Sequence, residues 1–185
     1  MRKLFGTVSV IAILFLSAAT PSLARPSHQP VPRLAPEWAV SEWINSDGVT
    51  LSDLKGKVVV DFFQLWCPGC NAFSIPLVKF WGKVFAKEIA DGAMRLVSIH
   101  TVFEGFAYQT PQRLKGFIKR KKIHHAVGVD RAIEGQRLPQ TMCRYGTMGT
   151  PEIAIIDKQG VIRFQEFGGF KPERAQALIR RLLQE

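Results

Sequence analysis

Apolar positions along residues 57–183 switch repeatedly between two periods. Lys57-Val58-Val59-Val60-Asp61-Phe62-Phe63-Gln64 is a β-branched run that passes into aromatics, the pattern of a strand buried on both faces. The period then changes: Phe73, Leu77, Phe80, Trp81 and Val84 recur at spacings of three and four, which predicts a helix. Residues 94–101 read as a second strand. Thr110-Pro111 supplies an N-cap and a first-turn proline for a helix with Leu114, Phe117 and Ile118 on its inner face. Residues 126–129 form a short strand ending at Asp130, and Pro139 opens a helix carrying Met142 and Tyr145. A hairpin follows, with residues 153–156 and 161–167 joined by Asp157-Lys158-Gln159-Gly160. Pro172 starts a last helix, whose Ala175, Leu178, Ile179, Leu182 and Leu183 form one stripe.

Upstream the pattern is weaker. Trp38, Val40 and Trp43-Ile44 suggest a short strand, and Asp47-Gly48 a turn returning into Val49-Thr50-Leu51, which gives an N-terminal β-hairpin. Residues 52–56 look like one helical turn and a stop. The whole order predicts an α/β domain over residues 37–185: a central mixed β-sheet flanked by helices, with that hairpin in front. No internal repeat and no second domain are visible.

The first residues have a different logic. Arg2 and Lys3 precede an apolar run from Leu4 to Leu16, and small residues then lead to Ser22-Leu23-Ala24. That order is a secretory signal peptide over residues 1–24, and the apolar run is short for a spanning helix. The expected location is therefore periplasmic or secreted, with no stable membrane span after cleavage; an uncleaved N-terminal anchor is the alternative. Residues 25–36 hold Pro26, Pro30, Pro32 and Pro36 and read as an extended linker.

A hydrophobic share of 46% and a charged share of 22% belong to an ordinary globular chain and exclude disorder and collagen. The formal charge is +10, and removing Arg2 and Lys3 with the leader leaves +8. A basic surface can meet acidic proteins, anionic lipid or nucleic acid, but no nucleic-acid motif is present and export argues against it. Lys119-Arg120-Lys121-Lys122 is read as a helix end, where cations favour the macrodipole.

Chemistry enters with Cys67-Pro68-Gly69-Cys70. There are three cysteines, too few for a disulfide framework, and two are spaced as a redox pair. A buried strand before the pair and a helix after it put Cys67 at a helix N-terminus, where unpaired amides stabilise an anion. The thiolate is the nucleophile of disulfide exchange, and Cys70, one turn on, is placed to resolve the mixed disulfide. Trp66 supplies an apolar wall for substrate. Half a zinc site and a purely structural disulfide are the competing readings; the second half of a zinc site is missing and no metal is expected. Asp61 interrupts the apolar strand six residues before Cys67. A desolvated acid there would have a raised pKa and could relay the thiol proton; an edge-strand Asp bonded to a loop is the plainer alternative. Cys143 reads as a small buried hydrophobe.

The run Gly56-Lys57-Val58-Val59-Val60-Asp61-Phe62-Phe63, followed by Trp66-Cys67-Pro68-Gly69-Cys70, resembles the TlpA/DsbE-type thioredoxin-like proteins. Tyr145-Gly146-Thr147-Met148-Gly149-Thr150-Pro151-Glu152, running into the hairpin, is similar to their Gly-x-Pro loop. The resemblance covers residues 38–185 and implies a thioredoxin-like fold and a protein disulfide oxidoreductase, most naturally a reductase. It implies that Cys67 and Cys70 form a redox-active disulfide, and that the pair itself holds the electrons in its dithiol form, with no bound cofactor. It further implies that Pro151 is a cis-proline facing the pair, that the Thr150 backbone pairs with substrate, and that Asp61 is the buried acid of thioredoxins. Glu152 matches the cytochrome-maturation branch. The implied partners are protein thiols and disulfides and an inner-membrane electron donor.

Three departures stand out. Phe73 occupies the place of a glutamate that many relatives carry after the second cysteine, and Pro76 comes one residue later than in their pattern. The segment Val102-Phe103-Glu104-Gly105-Phe106-Ala107-Tyr108 is longer and more aromatic than usual; it reads either as a partner-binding lip or, more simply, as aromatics tucked into the core. Two rival functions remain. A thiol peroxidase of peroxiredoxin type would need Pro-x-x-x-Thr-x-x-Cys, whereas Val60 and Gln64 hold those positions. A non-enzymatic copper or haem-maturation carrier would use the cysteines as ligands.

Overall fold

The computed structural model describes residues 33–52, 54 and 57–185. The expected leader and residues 25–32 of the linker lie outside the described residues. Seven strands are present: β1 (Arg33–Leu34), β2 (Val40–Ile44), β3 (Lys57–Phe63), β4 (Met94–His100), β5 (Ala126–Asp130), β6 (Glu152–Ile156) and β7 (Val161–Phe167). The helices are α1 (Ile75–Val84), α2 (Ala86–Ala90), α3 (Pro111–Lys121), α4 (Gln140–Tyr145) and α5 (Pro172–Leu182). The strands form one mixed sheet in the order β1-β7-β6-β3-β4-β5-β2.

Every residue of β3 is buried, as its unbroken apolar run demands. It pairs in parallel with β4 and antiparallel with β6, so both its hydrogen-bonding edges are filled. Its side chains alternate between two layers. Val58, Val60 and Phe62 pack with Trp38, Tyr145, Ile156 and Ile162. Val59 faces Leu77, Val78, Trp81 and Ile179, while Phe63 joins Leu114, Phe117 and Val127 around the cysteines. The steps β3 to β4 and β4 to β5 are parallel and run in the same direction across the sheet. Right-handed crossovers then put α1 and α3 on one face, and α5 joins them there through Ala175, Ile179 and Leu182.

Two details depart from expectation. Two strands precede β3, but they are β1 and β2 rather than the two arms of the expected hairpin, and they occupy opposite edges of the sheet. β2 spends its ladder on β5, and β1 adds to β7, so the end of the presumed linker belongs to the folded body. Residues 49–51 form no strand; the Leu51 N–H instead donates to the Glu37 carboxylate at 2.8 Å. The helix after the cysteines is also divided. Its start, Cys70–Ser74, is a wide π-helical turn, and α1 gives way to α2 at Phe85. A π-turn holds one extra residue, which absorbs the one-residue delay of Pro76.

Trp81 is fully buried between α1 and the sheet. Trp81→Ala is expected to cost about 3–5 kcal/mol, read as a lower urea midpoint at unchanged slope.

Candidate active site

Where β3 ends, the chain turns through Gln64, Leu65 and Trp66 and becomes helical at Pro68, so Cys67 is the last residue before the helix. Its carbonyl accepts the Asn71 N–H at 3.1 Å, and its Sγ accepts the Cys70 N–H at 3.1 Å. The sulfur thus does what an N-cap oxygen does elsewhere, taking an amide that the helix leaves unpaired. Asn71 Nδ2 donates to the carbonyls of Leu65 and Cys67 and fixes the turn. Both cysteines are free thiols here. Cys67 retains 8% exposure and Cys70 none, so one sulfur is reachable and the other is hidden behind it. Burial, reinforced by the neighbouring Cys67, pushes the Cys70 thiol far up from its ordinary value.

Opposite the pair, the Thr150–Pro151 peptide is cis. The Cys67 thiol donates to the Thr150 carbonyl at 3.3 Å. Pro151 also explains Gly69: a Cβ on Gly69 would stand 2.9 Å from Pro151 Cδ, so only glycine lets the loop close over the cysteines. A groove of ≈ 530 Å³ runs over Cys67, walled by Trp66, Phe103, Met148 and Phe167. Trp66 is 47% exposed, donates from Nε1 to Gln64 Oε1 at 3.0 Å, and stacks on Tyr108. Gly105 passes beneath it at φ +61°, where a Cβ would fall 2.4 Å from the indole. Phe106 and Tyr108 are exposed rather than tucked into the core, so the aromatic segment is a lip beside the groove.

Asp61 sits in mid-β3 with 1% exposure. Burial raises its pKa to about 7, and the Ser74 and Ser98 hydroxyls pull only partly the other way. Ser98 Oγ donates to Oδ2 at 3.4 Å, while Oδ1 has no hydrogen-bond partner. The Asp61 charge is among the influences that raise Cys70, so the two groups interact across the interior. Phe73, in place of an acid, packs edge-on against Phe170 at 5.1 Å. Glu152 is buried beyond the cis-proline, and its Oε1 accepts Gln165 Nε2 at 2.6 Å. Cys143 corrects the expectation made for it: α4 buries Thr141, Met142 and Tyr145, which turns Cys143 out to the surface. The sequence did not single out Gln109, whose Oε1 accepts the Leu65 N–H at 3.0 Å and meets His100 Nε2 at 3.0 Å. No group of three or more metal-ligating side chains occurs among the described residues.

This fold, with paired thiols at a helix start and a cis-proline against them, defines the class of thioredoxin-like thiol–disulfide oxidoreductases. Residues 31–165 match the AhpC/TSA family, and the chain belongs to it. Among solved structures it is similar to a thioredoxin-like superfamily protein, at 37% identity over 82% of this chain and 97% of that one, with TM-score 0.75. A thiol-disulfide isomerase from Corynebacterium glutamicum shares 37% identity over the same fractions, with TM-score 0.74. A protein assigned as the thiol:disulfide interchange protein DsbE, from Chlorobium tepidum, shares 26% identity over 84% and 97%, with TM-score 0.60. No curated protein matches the sequence.

Two outcomes follow from this geometry. Asp61 holds its proton more tightly folded than unfolded, so the native state is favoured at low pH and loses that advantage as pH rises from about 4 through 7. Asp61→Asn should therefore be the more stable protein above pH 7, by about 4 kcal/mol at most, with the gap closing toward pH 4 in parallel urea titrations. Gly69→Ala should lift the Pro151 loop from Cys67 and lower reduction of a protein disulfide about ten- to a hundredfold, while the far-ultraviolet dichroism is kept.

Proposed function

We propose that the protein is an extracytoplasmic thiol–disulfide oxidoreductase that reduces disulfides of protein substrates through Cys67 and Cys70. The observation that carries this reading is the Cys67 sulfur, reachable from the groove and accepting the Cys70 amide at 3.1 Å. A sulfur that takes a helix-start amide and faces the groove is placed to be the attacking atom of disulfide exchange. The names of the Corynebacterium and Chlorobium relatives point to the same chemistry.

In the forward direction the Cys67 thiolate attacks one sulfur of the substrate disulfide, and the other sulfur leaves as a thiolate that takes a proton from water. Cys70 then gives its proton to the Asp61 carboxylate and attacks Cys67 Sγ. The second substrate sulfur leaves as a thiolate that likewise takes a proton from water, the substrate has gained two electrons and two protons, and Cys67–Cys70 is a disulfide. Trp66 and the backbone of Thr150 beside Pro151 hold the extended substrate segment over the groove. An inner-membrane dithiol donor returns the pair to its reduced form. The leader pattern of residues 1–24 supports action outside the cytoplasm. No helix among the described residues is long and apolar enough to cross a membrane.

Cys70→Ser stops the reaction at the mixed disulfide. Expressed in cells, this variant should retain proteins covalently on Cys67 that are released by dithiothreitol and identified by mass spectrometry. Capture no greater than that of a Cys67→Ser control would overturn the proposal.

A further inference from the structure

On the face of the sheet that carries the cysteines, Asp61 is flanked along β3 by Val59 and Phe63, and Ser98 along β4 by Leu96 and His100. Asp61 and Ser98 sit side by side on neighbouring strands, and His125 lies just before the third, β5. Asp61 in β3 pairs in register with Ser98 in β4. Ser98 in turn pairs with Val127 of β5, and His125 lies in the bend that leads into that strand. The side chains are joined: Ser98 Oγ is 3.4 Å from Asp61 Oδ2 and 2.8 Å from His125 Nε2. Asp61 and Ser98 are sealed from water, whereas His125 is only partly buried, with the exposed His124 beside it. Asn45 Nδ2 holds the backbone there by donating to the His125 carbonyl at 3.2 Å.

We propose that Ser98 and His125 are the proton relay that connects the buried Asp61 to solvent. The inference rests on the oxidoreductase reading and extends it, because only an ionised Asp61 can take the Cys70 proton during resolution. A proton already on Asp61 must therefore leave first, and the other hydroxyl beside it, Ser74, is fully buried and offers no way out. The transfer balances without an ion on the ring. Asp61 passes its proton to Ser98 Oγ, Ser98 passes its own to His125 Nε2, and His125 Nδ1 gives its proton to water. The imidazole ends in its other tautomer, with Nε2–H donating to Ser98 and Ser98 donating to the ionised Asp61. Burial holds the His125 pKa down to about 4, which keeps the ring neutral, as this exchange requires. Ser98 and His125 touch no substrate and act through Asp61.

The test separates the two disulfide steps. Reduced protein mixed with excess dithiobis(nitrobenzoate) releases one coloured thiolate when Cys67 forms the mixed disulfide and a second when Cys70 resolves it. Wild type showing no first release would refute disulfide exchange itself and not the relay. Ser98→Ala, His125→Ala and His125→Gln are each expected to slow the second release relative to the first by at least about tenfold. Added imidazole should restore it in His125→Ala, where a partly exposed cavity is vacated, and not in Ser98→Ala or His125→Gln. A second release at the wild-type ratio in the Ser98 or His125 variants would overturn the relay, as would slowing in His125→Ala that imidazole does not relieve.

Discussion

Strand β3 has water on neither face and a neighbour on each edge, and the placement of the chemistry follows from that constraint. A strand so enclosed can move neither sideways nor in register, so its end at Phe63 is a fixed point from which the cysteine turn is hung. The sulfur of Cys67 then falls at the start of a helix, and the antiparallel partner β6 begins one residue after the cis-proline. Cysteines and Thr150–Pro151 meet because they lie at the same end of two adjacent, hydrogen-bonded strands. Thioredoxin-like architecture is thus the simplest means of bringing a loop near residue 150 against one near residue 67 without flexible parts.

The same enclosure gives the two sulfurs unlike surroundings. Cys67 looks outward into a groove walled by Trp66, Phe103, Met148 and Phe167, of which Phe103 alone is not exposed. Cys70 looks inward toward a carboxyl group that burial keeps near its midpoint at neutral pH. In the proposed reaction the substrate disulfide meets Cys67 from the groove, while the Cys70 proton is taken up from the interior, on the same face of the sheet.

Much of this was readable from residues alone. The β3 run, the periodic stripe of α5 and the Thr110 cap all appear where the pattern placed them, because each reflects a local rule of burial or capping. The cysteines, Asp61 and the cis peptide before Pro151 were legible as motifs. What escaped was whatever depends on contact between distant segments. Residues 49–51 carry strand-like apolar side chains, yet the ladder of β2 went to β5, a choice made by topology. Cys143 depended on which face α4 buries, and a helix of six residues shows too little of its period to tell. The need for glycine at 69 shows only once Pro151 lies against it, and Ser98 meets Asp61 through strand register and His125 through the bend before β5.

Because the π-helical turn at Cys70–Ser74 contains one residue more than an α-helical turn, the chain before it and the chain after it follow different phases. Counting forward from the cysteines reaches Phe73, and counting back from Pro76 reaches Ser74. The two residues live in opposite worlds, Phe73 against Phe170 and Ser74 buried near the Asp61 carboxyl. Each residue turns a helix by about 100°, so a chain that lost one residue here would rotate a benzyl group toward the buried acid and send the hydroxyl outward. The widened turn works as a vernier: it leaves the cysteine end and the α1 end each in its own correct setting while shifting one against the other by a single notch. Correspondence with relatives that lack the extra residue therefore holds position by position on either side of the turn, but under two different offsets.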